Sequence, residues 1–384
     1  MKQFISEIEY IQEIMEEIAV LKKNGKDYSI DRGRTAKLID RLHPKKLNLV
    51  LLEIIYRTDE AKTFRFISKN EYLPPFEAGQ YINIFVEIGG VRTSRPYSLS
   101  SSPKQRAYYD ITVAKIKNGF VSNYFWEKAK VGDSFESSSP AGEFHYNPVF
   151  HGKNLVFLAG GSGITPFMSM TQEVLNAGLD RNIHLIYGVR NEASAIFLKE
   201  FRDLSSRHDN FQLTLVASEP TDGYTGETGF ITGELIKRQV KNFNSSSFYI
   251  CGPQVMCDFC KKELWDLGVI NRKVHQEMFG FRQDIQNEPG WPDRLTGKEE
   301  FTISLSDGRT LKGFSGESLL TSLERAGVRV NVCCRSGECS LCRVKLVSGT
   351  VFQPRGVLQR YVDKKYGYIH SCKSYPISNL EIII

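Results

Sequence analysis

The sequence predicts a multidomain chain. A helical N-terminal extension precedes an antiparallel β-barrel, an α/β domain with a parallel sheet, and a small mixed domain at the C-terminal end. Three observations carry this reading. Segments between residues 47 and 150 are short runs rich in β-branched and aromatic residues, punctuated by Gly and Pro. From Asn154 the texture becomes strand–helix alternation, the pattern of a parallel sheet covered on both faces. The last fifth of the chain holds Cys334, Cys339, Cys342 and Cys372, spaced C-x4-C-x2-C with the fourth after 29 further residues.

Composition bounds the rest. A chain of 384 residues, 41% hydrophobic and 24% charged, holds two or three ordinary globular domains. It has no run of 18 apolar residues, so no membrane span is expected. The start, MKQFISEIEYIQEIMEEI, is too acidic for a secretory signal. Eight cysteines in this length are not a disulfide scaffold, and thiolate ligands favour a reducing, cytoplasmic setting. The net charge of +6 is spread out, and no basic run with interleaved aromatics points to nucleic acid.

Taken in order, residues 1–46 read as the helical extension. Apolar residues recur at helical spacing through Leu21, and a second helix is expected from Thr35 to Leu42, stopped before Pro44. In the barrel, LNLVLLEIIYR, TFRFIS, YINIFVEI and DITVAKI read as strands. The α/β domain, 151–286, runs NLVFLAG, a GGSGITP turn, the helix FMSMTQEVLNAG, then IHLIYGV, FQLTLVA and SFYICG as strands. Residues 287–297, with NEPGWPD, read as a linker. In the last domain, 298–384, a hairpin is expected around Asp307-Gly308 and a helix at ESLLTSLERAG.

Three constellations carry chemistry. Arg95-Pro96-Tyr97-Ser98 follows a strand: Arg95 offers a fork for a pyrophosphate, Tyr97 a face for a flat ring, and Ser98 a hydroxyl for a ring nitrogen. Gly119-Phe120-Val121-Ser122 opens a helix whose backbone N–H groups suit a phosphate. Gly160, Gly161, Gly163, Thr165 and Pro166 form a turn between strand and helix, and Cys251-Gly252-Pro253 closes another strand at the same sheet edge. This is a dinucleotide site without the GxGxxG fingerprint, and Cys251 is expected to line it. Cys257 and Cys260 fall within a helix and read as packing or exposed thiols. The four C-terminal cysteines read as plant-type [2Fe–2S] ligands, with a zinc site as the alternative. Cys333 is a bystander by spacing, and Leu341 is expected to reduce solvent access to the cluster.

RPYS, GFVS, GGSGITP, YGVR (187–190), CGPQVM (251–256) and CCRSGECSLC (333–342), in this order, resemble the ferredoxin–NADP⁺ reductase superfamily. The resemblance is to its phthalate dioxygenase reductase-type proteins and covers about residues 47–384. It implies a flavin-binding barrel, a nicotinamide domain and a β-grasp ferredoxin domain. Arg95, Tyr97 and Ser98 would contact the flavin, and HQEMFG would place Phe279 over its ring with Glu277 nearby. GFVS is similar to the FAD group, with FMN the alternative. Ser218 followed by Glu219 favours NADH, because a carboxylate repels a 2′-phosphate; Arg190 and Lys199 leave NADPH as the alternative. The implied activity passes electrons from NADH through flavin and cluster to a separate metalloenzyme, such as an oxygenase or a hybrid-cluster protein. A self-contained diaphorase or quinone reductase is the competing reading. Residues 298–384 carry 13 Lys/Arg against 8 Asp/Glu, so an acidic partner face is expected.

Overall fold

The computed structural model describes residues 11–25, 36–42, 44–69, 72–117, 119–147, 149–278 and 284–384. Two units emerge, Met1–Lys46 and Leu47–Ile384. The first contains a helix, Ile11–Lys23, with Glu13 near its start and Lys22 and Lys23 at its end, matching the helix dipole. Residues 36–42 form a second helical stretch. The expectations for residues 1–10 and for Thr35 lie outside the described residues.

The second unit opens with strands β1 (Lys46–Thr58), β2 (Ala61–Ser68), β3 (Tyr81–Ile88), β4 (Val91–Ser98), β5 (Tyr109–Ala114) and β6 (Ser134–Ser138). They form one sheet in the order β4-β3-β6-β1-β2-β5. A bridge between Leu99 and Ile111 draws its two edges together, so the sheet curls into a barrel. Leu49, Phe64, Phe66, Ile82, Ile84 and Ile111 fill the inside. The helix Phe120–Glu127 adds Val121 and Phe125, and Phe125 stacks on Phe135 with ring centroids 5.5 Å apart. RPYS lies inside β4 rather than after a strand. As the edge strand, β4 tolerates Pro96, whose missing N–H would break an interior ladder.

The α/β portion contains β7 (Asn154–Gly160), β8 (Asn182–Val189), β9 (Phe211–Ala217), β10 (Glu227–Thr228), β11 (Ser246–Gly252) and β12 (Val274–Met278). All pairs are parallel, in the order β10-β9-β8-β7-β11-β12. Both faces are covered. Helices Thr165–Asn176 and Leu198–Arg207 pack Phe167, Met170, Val174 and Phe201 on one side. Helices Gly233–Gln239 and Gln254–Asp266 pack Leu235, Ile236 and Leu264 on the other, with Cys257 and Cys260 buried among them as packing thiols. Strand order reverses at β7, between β8 and β11, which makes the carboxyl ends of β7 and β11 the crevice where such sheets bind ligands. Barrel and sheet share a core through Ala61, Ala78, Phe144 and Tyr146, and Ser169 Oγ donates to Ser101 O at 2.8 Å across the seam.

The C-terminal portion is a mixed sheet of β13 (Glu300–Leu305), β14 (Thr310–Phe314), β15 (Arg343–Ser348), β17 (Tyr368–His370) and β19 (Leu380–Ile383), ordered β14-β13-β19-β15-β17. Helix Leu319–Arg325 packs Leu319 and Leu323 against Ile303, Val344 and Ile382, a β-grasp arrangement. A short ribbon pairs β16 (Val351–Phe352) with β18 (Tyr375–Pro376). The stretch read as a linker is itself packed. Trp291 and Leu295 join Ile285 and Tyr375 in a small core, and Trp291 Nε1 donates to Leu295 O at 2.8 Å. Its two prolines shape a turn around an anchoring indole, so this connection is stiff rather than free.

Trp291→Ala should therefore lower the unfolding free energy by about 3 kcal/mol or more, the usual cost of removing a buried large aromatic. Denaturant unfolding of the whole chain, followed by far-ultraviolet circular dichroism, checks it; an unchanged midpoint contradicts the packing described.

Candidate functional site

The carboxyl edge of the parallel sheet is built by close backbone approach. A Cβ at Gly163 would fall 2.2 Å from Cys251 O, and one at Gly160 would fall 2.1 Å from Met256 Sδ. A Cβ at Gly252 would sit 3.1 Å from Gly160 Cα. The GGSG turn and the Cys251-Gly252-Pro253 segment are thus pressed together at the switch point. Gly161 has φ +51°, a left-handed conformation that glycine adopts without penalty. Thr165 Oγ1 donates to Ser162 O at 2.6 Å and Pro166 occupies the first turn, which stiffens the start of the helix Thr165–Asn176. Pro253 caps the helix Gln254–Asp266. Ser218 and Glu219 are exposed at the carboxyl end of β9, held by Ser218 N donating to Val189 O and Glu219 N to Arg190 O. Arg190 pairs with Glu60 at 2.8 Å.

On the barrel side, β3–β4 register sets Ser98 opposite Tyr81, Tyr97 opposite Ile82 and Arg95 opposite Ile84. Tyr97 meets Phe125 edge to face at 5.6 Å, which brings β4 to the helix that Gly119 opens. Ser122 folds back over that start: a Cβ at Gly119 would lie 2.0 Å from Ser122 Oγ, so a side chain there would displace the hydroxyl. Arg95 Nη1 donates to Ser94 O at 2.7 Å and to Thr93 Oγ1 at 3.1 Å. Burial, with the charge of Arg335 second, pulls the Arg95 guanidinium down to about 10. Among the described residues no carboxylate bonds to it. A half-buried cation held by neutral acceptors suits the phosphate of a flavin.

Sheet and barrel meet at Glu277. This residue lies on β12 opposite Cys251 of β11, and Ser98 Oγ donates to Glu277 Oε2 at 3.3 Å. Burial pushes the Glu277 carboxyl up to about 8; the nearby Glu338 adds to the rise and the Ser98 bond opposes it. The Glu277 carboxyl thus favours its protonated form more than an exposed glutamate does, at the meeting of barrel and sheet. Cys251 is fully buried, and burial with Glu277 close by raises its thiol well above the ordinary range. Phe279 lies outside the described residues.

The cluster loop supplies the third part. Arg335, Gly337 and Ser340 all have positive φ (54°, 86° and 57°), which curls Cys334–Cys342 into a cage. Cys334 Sγ accepts from Ser336 N and Cys339 N, each at 3.4 Å. The sulfurs fall into two interacting pairs. Cys339 lowers Cys334, helped by those N–H groups, and Cys372 lowers Cys342. Four thiols on this loop and on the segment at Cys372 suit the two irons of a plant-type cluster. Leu341 is 52% exposed, so it does not shield the cluster as the sequence suggested; its neighbours Ser340 and Cys342 turn inward while it turns out.

Sequence reasoning missed what holds this loop to the barrel. The Arg335 guanidinium is buried, paired with Glu324, and donates to Ser94 Oγ at 3.2 Å and Thr93 Oγ1 at 3.3 Å. Thr93 Oγ1 donates in turn to Glu324 Oε2 at 3.0 Å. Asn83 Nδ2 donates to Val332 O at 3.2 Å, and Tyr81 packs against Cys333 and Cys334. Cys333, a bystander by spacing, therefore lies in the seam between loop and barrel. Arg335 stood beside the ligands in sequence, but its barrel partners Thr93 and Ser94 lie 242 and 241 residues away.

A curled flavin-type barrel, a nucleotide-type sheet and a docked thiol cage define an electron-transfer oxidoreductase with its own iron–sulfur module. Three family models match in succession: an oxidoreductase FAD-binding domain over residues 49–146, an oxidoreductase NAD-binding domain over 157–262, and a 2Fe-2S iron–sulfur cluster binding domain over 303–376. The NADH oxidoreductase HCR of Escherichia coli is 30% identical over 328 residues, covering 85% of this chain and 94% of that protein. The glycine betaine monooxygenase reductase subunit of Chromohalobacter salexigens is 26% identical over 348 residues, covering 87% and 94%. Solved phthalate dioxygenase reductase, titled a modular structure for electron transfer from pyridine nucleotides to [2Fe-2S], has a TM-score of 0.65 and 27% identity over 88% of this chain and 97% of that one. The chain belongs to the ferredoxin–NADP⁺ reductase-like superfamily, as a phthalate dioxygenase reductase-type protein with a C-terminal [2Fe–2S] domain. Its cofactors are FAD, the cluster and NADH.

Glu324→Gln leaves Arg335 buried without its counter-charge and should cost about 3–5 kcal/mol. Arg335→Met with Glu324→Leu removes both charges and should recover most of the loss, as read by denaturant unfolding of all four cycle members. Glu277 binds a proton in the folded chain between pH 4.5 and about 8 that the unfolded chain releases, so its contribution to stability is full below pH 4.5 and is lost as pH rises through 8. Flavin-free protein should lose stability over that window by up to about 1.4 kcal/mol per pH unit from this group. Glu277→Gln should flatten the urea-midpoint profile from pH 5 to 9; an unchanged profile contradicts the raised carboxyl.

Proposed function

We propose that this chain is the reductase component of a two-protein system, taking a hydride from NADH and sending single electrons to a separate metalloenzyme such as an oxygenase or a hybrid-cluster protein. Bound flavin converts one two-electron donation into two one-electron steps, and the cluster relays them. The observation that carries this reading is the buried seating of the cluster loop on β3 and β4, the strands that also bear Ser98 and Arg95. A self-contained diaphorase would have no use for that seat.

In this reading Arg95 neutralises flavin phosphate, Tyr97 flanks the ring, and Ser98 orients a ring nitrogen. Pro96 keeps the edge strand extended, and Gly119, Val121 and Ser122 shape the phosphate-facing helix start. Gly160, Gly161, Gly163, Thr165, Pro166, Gly252 and Pro253 cradle the dinucleotide. Cys251 walls the nicotinamide half, Glu277 holds the proton beside Ser98, and Phe279 covers the flavin. Glu219, next to Ser218, disfavours a 2′-phosphate and selects NADH. Cys334, Cys339, Cys342 and Cys372 hold the two irons. The relatives named for monooxygenase reduction and the +5 balance of residues 298–384 support a metalloenzyme acceptor with an acidic docking face. No helix among the described residues is long and apolar enough to cross a membrane. The cluster's thiolates favour a reducing compartment, which supports the cytoplasm as its site of action.

An anaerobic NADH titration of the loaded protein, followed by visible absorbance, tests the path. Flavin bleaching together with loss of the cluster bands is expected, and flavin bleaching alone places the cluster off the path. In Cys342→Ser, turnover with ferricyanide should persist while transfer to a protein acceptor falls away.

A further inference from the structure

One flank of the cluster loop is closed. Cys333, Cys334 and Arg335 are buried against β3 and β4, Val332 O accepts from Asn83 Nδ2 there, and Glu338 bears on Glu277. An external acceptor needs another approach, and Leu341 and Arg343, beside the ligand Cys342, are exposed. There the chain from Arg355 to Tyr366 crosses beside the cage. A Cβ at Gly337 would lie 3.3 Å from Val357 Cγ1, and Arg343, one residue past Cys342, pairs with Asp363 at 3.2 Å. The short helix Tyr361–Lys365 runs into β17, which pairs with the strand that starts at Arg343.

Its exposed chemistry is uniform. Arg355, Arg360, Lys364 and Lys365 all face solvent. The segment's one acid, Asp363, is buried and answers Arg343. Between the cations stand exposed apolar side chains: Leu358 is 61% exposed and Tyr361 79%, and Leu341 is exposed on the cage itself. Large apolar groups ringed by charge of one sign mark a protein interface rather than an ordinary solvated face.

We infer that the surface of Arg355, Leu358, Arg360, Tyr361, Lys364 and Lys365 is the exit port of the cluster, where an acidic electron-acceptor protein docks. This rests on the reductase reading and assigns its output side. The cations steer an acidic partner into encounter, and Leu358 and Tyr361 form the dry centre that brings the acceptor's metal close to the cage. The step is a one-electron transfer without bond making. The reduced cluster loses one electron, the acceptor's metal gains one, and no proton travels with it. Two such events follow each NADH, which leaves as NAD⁺ with one proton released.

The test uses the full chain loaded with FAD and cluster. Acidic cytochrome b5 and basic cytochrome c serve as probes, and Cys342→Ser sets the rate that bypasses the cluster. The triple variant Arg360→Glu, Lys364→Glu, Lys365→Glu should cut the cluster-dependent kcat/KM for cytochrome b5 by about tenfold or more and remove its fall with rising salt. It should raise the rate with cytochrome c and leave ferricyanide reduction and the cluster spectrum unchanged. Tyr361→Ala should lower cytochrome b5 turnover without altering the salt slope. Equal rates and equal salt slopes in wild type and triple variant overturn the exit port. So does a charge-dependent retention on phosphatidylserine vesicles or duplex DNA with cytochrome rates untouched, which assigns the cations to that polyanion. Failure of the reductase reading shows separately and earlier, as a cluster that NADH does not bleach before any acceptor is added.

Discussion

Arg335 holds the iron–sulfur module to the barrel: its buried guanidinium pairs with Glu324 of the same module and donates to Thr93 and Ser94 of β4, and the electron path depends on that grip. Two charges removed from water are costly unless each is answered, and here both are. Thr93 accepts from Arg335 and Arg95 and donates to Glu324, so one hydroxyl links the cage to Arg95 of the RPYS motif. Arg335 can take part only because it has left-handed backbone, which turns its side chain out of the cage and down onto β4. The loop therefore serves two ends: Cys334 and Cys342 are buried within it, while Arg335 reaches the barrel.

The second constraint is close packing without side chains. Gly163 lets the turn after β7 approach the end of β11 to a distance that a methyl would forbid, and Gly160 and Gly252 lie close beside it. The crevice this leaves at the switch point is floored by backbone, which is what a dinucleotide phosphate needs. Beside it, Ser98 from the barrel, Cys251 and Glu277 from the sheet, and Glu338 from the cage come within mutual influence. Barrel, parallel sheet and cluster loop thus contribute to one small polar site, and burial raises its carboxyl.

Much of this was legible in the residues. Strand and helix texture, the glycine turn, RPYS and the cysteine spacing are local patterns, and local patterns survive in a linear reading. Curling of the first sheet, the parallel second sheet and the packing role of Cys257 and Cys260 followed from them. The structure corrected three points of detail. RPYS lies within β4, the prolines near Trp291 belong to a packed connection, and Leu341 points to solvent. Each depends on which way a side chain faces in the assembled fold, and composition does not report that.

The order of modules and their cofactor chemistry were legible in the sequence alone, because each needs particular residue types at short range. How the cage is seated on the barrel was decided only by tertiary structure. Thr93 and Glu324 are separated by most of the chain, and nothing in either neighbourhood marks them as partners for Arg335. Contacts between residues distant in sequence arise when separately folded surfaces bury each other's polar groups, and that matching is a property of the packed molecule.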